Sequence, residues 1–171
     1  MSVRFMIDSI DFVRNAGIHQ DKIPVLELAR LHDLLFDNEG ELRYTISGHF
    51  DKNNKPNLHL EIKGKIHLCC QRCLDKLPHI VDLQTILLLV ESEAELDQVD
   101  EEDTIDAILA TPDLDVWSLI EEEIILSLSI SSRHPDGACE MYQPESNEDI
   151  LFDKTQLTNP FAALAAFKNK N

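Results

Sequence analysis

Two short stretches hold the residues best suited to chemistry. They are Cys70-Gln71-Arg72-Cys73 in the middle of the chain and His134-Pro135-Asp136-Gly137-Ala138-Cys139 near its end. A C-x2-C turn places two sulfurs on one side of a tight loop, at about the spacing tetrahedral zinc needs. The H-x4-C stretch, far downstream, offers two more donors. One structural zinc ion held by Cys70, Cys73, His134 and Cys139 would then staple two halves of the chain together, and a thiolate-rich set suits that metal. Two other readings stand beside it. The cysteines could be plain free thiols, or Arg72 could stabilise a thiolate at Cys70 or Cys73 in a redox pair. The pair does not open a helix after a strand, as a thioredoxin-like motif would. Cys69 points to the opposite strand face from Cys70 and is the thiol left over, with His67 and His79 as substitute ligands.

If all four positions are protein ligands, none is left open for a catalytic water. Other enzyme signatures are missing: no Walker glycine loop, no G-x-S-x-G elbow, no H-E-x-x-H and no dinucleotide fingerprint. With five glycines in the whole chain, phosphate-cradling loops have little material. The expectation is a non-catalytic protein with no small-molecule substrate.

The elements that must position these residues are read from periodicity. Leu42, Tyr44, Ile46 and Phe50 alternate through Glu41 to Phe50, the pattern of a half-buried strand. A polar turn from Asp51 to Pro56 follows. Leu58, Leu60, Ile62, Ile66 and Leu68 then resume the alternation, so the two segments read as an antiparallel hairpin. Gly48 and Gly64 mark bulges or close packing within it. Leu77 to Val90 gives a third strand, with Val81, Leu83, Leu87 and Leu89 on one face and an end that is apolar on both faces, hence covered. The cysteine pair thus sits at the tip between the second and third strands. Downstream, Asp115 to Leu128 reads as a helix with Val116, Ile120, Ile124 and Leu128 on one face and Glu121, Glu122 and Glu123 on a solvated one. Upstream, Asp21 to Leu35 is helical in part of its period, though Pro24 confines any helix to begin near it, and an extended path is equally open.

Charge is the second clue. Lys and Arg number 15 against 32 Asp and Glu, a formal charge of −17. Such a surface repels phosphate backbones and attracts basic partners. The acidic run 91–103 reads as a solvated loop, with a docking strip for a basic partner as the alternative. Aromatic residues make up 6% of the chain, too few for a broad base-stacking platform. The run Ile86 to Val90 falls far short of the ~20 apolar residues a membrane span needs. The opening Met1 to Asp8 has no long apolar run of the secretory kind. A cytoplasmic location is expected, where cysteines serve as thiols or ligands in preference to disulfides.

At 171 residues, 43% of them hydrophobic, the chain can bury one core. The expected fold class is α+β: an antiparallel meander packed on one or more helices, with a cysteine-bearing tip. Residues 1–145 form this domain, and 146–171 a polar linker and helical tail. In the tail Asn159 suits an N-cap, Pro160 the first helical position, and Lys168 and Lys170 the last turn.

Three stretches together resemble the YceD family, the large ribosomal RNA subunit accumulation proteins of bacteria and plastids. They are Leu68-Cys69-Cys70-Gln71-Arg72-Cys73-Leu74; Leu119-Ile120-Glu121-Glu122-Glu123-Ile124-Ile125-Leu126-Ser127-Leu128 followed by His134 and Cys139; and Asn159-Pro160-Phe161-Ala162-Ala163-Leu164. Two departures stand out. Ser129 and Ser132 occupy a segment where many relatives carry prolines, and Cys69 stands where the motif does not require cysteine. The resemblance implies a role in synthesis, processing or accumulation of large-subunit (23S) ribosomal RNA, without a defined catalytic activity. The expected partner is that RNA precursor or a basic ribosomal or processing protein. Direct RNA contact would fall to Arg72, Lys63, Lys65 and Lys76 around the cysteine turn; an adaptor would instead use its acidic surface.

Overall fold

Alternating apolar residues build the frame. The computed structural model describes residues 4–100 and 106–139. A short strand β1 (Met6–Ile7) leads into helix α1 (Ser9–Arg14), whose Asp8 cap accepts the Asp11 N–H at 2.9 Å. Strand β2 (Ile18–Pro24) follows, then two single 3-10 turns, Val25–Glu27 and Ala29–Leu31. The segment 21–35 is therefore extended first and only then briefly helical, because Pro24 closes the strand and the apolar residues Val25, Leu28 and Leu31 fall three apart.

Three long strands make the sheet: β3 (Glu41–Phe50), β4 (Pro56–Cys69) and β5 (Lys76–Val90), antiparallel in sequence order as the alternation implies. Helix α2 (Glu93–Asp100) then crosses to β6 (Asp106–Leu109), which pairs parallel to β5, so the sheet is mixed in the order β2-β3-β4-β5-β6. The short strand β7 (Leu114–Asp115) pairs with β1 and leads into α3 (Val116–Ser127). Asp115 caps α3 by accepting the Trp117 N–H at 3.0 Å, and Arg4 pairs with the same carboxylate at 2.7 Å.

One face of the sheet is the core. Leu42, Tyr44 and Ile46, Leu58, Leu60, Ile62 and Ile66, and Val81 and Leu87 are buried there together with Val13 of α1 and Val116, Ile120 and Ile124 of α3. The other face is open along the middle of β5, where Ile80 and Ile86 are exposed, but at the end of that strand Leu88 and Val90 are buried on it. Gly48 serves close packing: a Cβ there would stand 2.6 Å from the Val13 Cα and 3.0 Å from the Phe12 carbonyl oxygen, both backbone atoms of α1.

Two expectations are corrected. The acidic run is a helix over residues 93–100, because Ser92 and Glu95 form an S-x-x-E start. The Glu95 N–H donates to Ser92 Oγ at 3.3 Å, and the Glu95 carboxylate accepts the Glu91 N–H at 3.1 Å. The three adjacent glutamates of α3 are not one solvated face either. Glu122 is exposed, but Glu121 is 2% exposed and accepts the Arg30 N–H at 2.9 Å. Glu123, half-buried, accepts the Thr85 hydroxyl at 2.9 Å. The linker and helical tail proposed for 146–171 lie outside the described residues.

Gly48→Ala is expected to destabilise the protein by about 1–3 kcal/mol in chemical denaturation, because backbone must move, whereas Ile80→Ala should fall within about 0.5 kcal/mol. Burial raises the Glu123 carboxyl, Thr85 opposes this, and the nearby Asp106 and Glu122 charges add to it. A carboxyl raised on folding favours the fold when protonated and loses that contribution as pH climbs through its folded value. Glu123→Gln, which keeps an acceptor for Thr85, should therefore raise the melting temperature at neutral pH. The gain should shrink below the usual carboxylate range near about pH 4.

Candidate metal centre

The cysteine turn is a tight local structure. Between β4 and β5 the Cys70 N–H donates to the Asp75 carbonyl at 3.0 Å, and the Leu74 N–H to the Cys70 carbonyl at 2.8 Å. Leu74 takes a φ of 61° to close the loop, a left-handed conformation uncommon for leucine. The second stretch folds on its own turn. The Ala138 N–H donates to the Pro135 carbonyl at 3.0 Å, with Gly137 at φ 83° supplying the left-handed position. A bond from the Gln71 N–H to the Ser132 carbonyl, 2.9 Å, lays the two stretches side by side.

All four expected ligands meet. Cys70 Sγ lies 3.8 Å from Cys139 Sγ, Cys73 Sγ 3.4 Å from His134 Nδ1, and Cys139 Sγ 3.6 Å from the same nitrogen. The four donor atoms lie within 4.8 Å of one another. A regular tetrahedron with zinc bond lengths has edges of about 3.8 Å between sulfurs and about 3.6 Å from sulfur to nitrogen. The closest pairs match those edges. This group can hold a metal ion, with Cys70 and Cys139 buried and Cys73 and His134 half-buried.

The surroundings act differently on the members of the set. Burial works to raise the Cys70 thiol, but N–H groups of Cys73, His134 and Arg72, with the Cys73 side chain, outweigh it and push it down to about 5. The Asp75 N–H lowers Cys73, yet burial and the neighbouring Cys70 and Cys139 sulfurs leave it raised. The Cys139 sulfur, against burial, raises His134. Thiolates and a neutral imidazole are the ligating forms, so a divalent ion would release protons as it binds. His134 Nε2 lies 3.1 Å from the Lys76 carbonyl, which can only accept; the proton is therefore on Nε2 and the Nδ1 lone pair faces the sulfurs in the neutral ring.

Arg72 is the clamp of the second stretch. Its Nε donates to Cys139 Sγ at 3.0 Å, and its terminal nitrogens reach the His134 carbonyl at 3.0 Å and the Asp136 carboxylate at 3.3 Å. Lys76 pairs with Asp37 at 2.7 Å, and Asp37 also meets His67 Nδ1 at 3.0 Å. Asp37 is held down at about 2, chiefly by the Lys76 bond. Lys63 stands 3.8 Å from Glu61 and 4.0 Å from Asp82 on the open sheet face, where Lys65 lies opposite Ile80. Cys69 stays out of the set, its thiol 3.6 Å from the Leu74 carbonyl, and so do His67 and His79. Asp37 carries no motif in the sequence; its role depends on a fold that brings it to the β4–β5 tip.

The family described as "Large ribosomal RNA subunit accumulation protein YceD" matches residues 58–168, a span that contains all four ligands and α3. The chain belongs to the YceD family. No solved structure matches it. Among the described residues no helix is long and apolar enough to cross a membrane.

Elemental analysis of the purified protein should find one metal ion per chain, lost in Cys70→Ser and Cys139→Ser but kept in Cys69→Ser. Arg72→Gln should retain the four ligands yet weaken metal affinity by about 10–100-fold in competition with a chromophoric chelator.

Proposed function

We propose that this protein is a non-catalytic ribosome-biogenesis factor supporting accumulation of large-subunit ribosomal RNA. It acts as an adaptor for a basic ribosomal or processing protein, and its Cys3His set holds a structural zinc ion. Zinc suits three thiolates and an imidazole at tetrahedral edges, and a set complete in protein ligands keeps no position for a reacting water. The ion would join the β4–β5 tip to the chain after α3.

One observation carries the adaptor reading. Three of the four cations best placed to meet phosphate are already engaged with acids: Arg72 with Asp136, Lys76 with Asp37, and Lys63 with Glu61 and Asp82. Arg72 is held further by a sulfur and two carbonyls. Exposed pairs of this kind are weak individually. Against a chain charge of −17, however, they leave little net attraction for a polyanion. The family description brings the RNA into the reading, and the charge supports an indirect contact.

Ultraviolet crosslinking of the tagged protein in growing cells tests this. The expected result is cosedimentation with assembling large subunits without enrichment of any RNA site under denaturing washes. Enrichment at one place on the large-subunit precursor, lost when Lys63 and Lys65 are neutralised, would overturn the adaptor reading.

A further inference from the structure

An open groove runs between α3 and the edge strand β6, with a volume of about 620 Å³. Its apolar lining comes from Leu83 and Leu87 of β5, Ile108 of β6, and Leu119 and Leu126 of α3. Leu126 is 74% exposed, an apolar side chain at the rim with no cover of its own. Three acids border the same groove: Asp106 at the start of β6, and Glu122 and Glu123 on α3. Leu126 stands four residues after Glu122 and three after Glu123, so helix geometry gathers the acids and the apolar rim on one side.

These acids differ from three described above. Asp37, Asp115 and Asp136 each have a lysine or arginine partner. Among the described residues no cation lies within ion-pair distance of Asp106, Glu122 or Glu123. Like charge from Asp106 and Glu122 contributes to raising the Glu123 carboxyl, as expected where cationic compensation is missing. An apolar floor with an unneutralised acidic rim repels nucleic acid and complements a segment that is apolar on one side and cationic at its margins.

We propose that this groove docks an amphipathic helix of a basic partner protein, with apolar residues at i, i+3, i+4 and i+7 on the groove floor and Lys or Arg facing Asp106, Glu122 and Glu123. This rests on the adaptor reading and names its binding face. A helix fits better than an added strand because the groove offers side-chain pockets and carboxylates, while β6 is only four residues long.

The test uses the full-length, metal-loaded protein and a fluorescent peptide with leucines at that spacing and lysines elsewhere. Controls are a scrambled peptide of equal composition and the patterned peptide broken by a central proline. Fluorescence anisotropy should show the patterned peptide binding about tenfold or more tightly than either control. The double variant Glu122→Lys/Leu126→Lys, at two exposed positions, should abolish that preference, and Ile80→Asp on the open sheet face should leave it intact. Equal binding of the scrambled peptide would mean attraction by charge alone and overturn the groove. Equal binding of the proline-broken peptide, or an unchanged preference in the double variant, would overturn it too. A failed peptide test with normal cosedimentation of the double variant rejects the groove and spares the adaptor. A direct RNA crosslink by the wild type rejects the adaptor itself, and the docking proposal with it.

Discussion

The convergence of four donor atoms between two distant stretches of chain is the constraint on which the functional end of the molecule depends. Among the described residues the chain after α3 also meets the β4–β5 tip through one backbone bond from Gln71 to Ser132, the reach of Arg72, and the contact of His134 with the Lys76 carbonyl. The tip is itself pinned from the other side by Asp37, which holds Lys76 and His67. The carbonyl of Lys76 in turn sets the ring of His134. The ligand set is therefore the centre of a hydrogen-bonded frame, not an isolated cluster on a loop.

Charge is distributed with a logic that composition alone hides. At the tip, Arg72, Lys76 and Lys63 each face at least one acid. Along α3 and β6 the acids stand without cations, beside apolar side chains. A chain of net charge −17 thus concentrates its uncompensated field on particular faces. The same arrangement makes an RNA-facing role for the tip and a protein-facing role for the groove physically distinct questions.

Much of the frame was legible because its signals are local. Leu42, Tyr44 and Ile46 against Leu58, Leu60 and Ile62 alternate cleanly; Tyr44 faces Ile62 and Ile46 faces Leu60 across the hairpin, while Leu42 and Leu58 stand opposite Gly64 and Gly48. The meeting of Cys70, Cys73, His134 and Cys139 was legible because C-x2-C and H-x4-C are spacings that suit a four-donor site. Where the reading missed, the deciding partner lay elsewhere. Glu121 is an internal acceptor only because the turn at Arg30 comes to rest against it. Strand β2 buries just Ile23, so it had no alternation to read; its place follows from pairing with β3. In α2 the capping signal was present at Ser92 and Glu95, but a dense run of charge suggested a loop.

The sulfur pair Cys70 and Cys139 lies 69 positions apart in sequence. An ion bridging them would close residues 70–139 into one loop. A chain folded around such an ion would not have a single thermodynamic stability. Once the site is filled, each tenfold change in free metal shifts the balance between folded and unfolded chains by about 1.4 kcal/mol. Its standing population in a cell would then follow metal supply, rising in abundance and thinning in scarcity with no regulator in between.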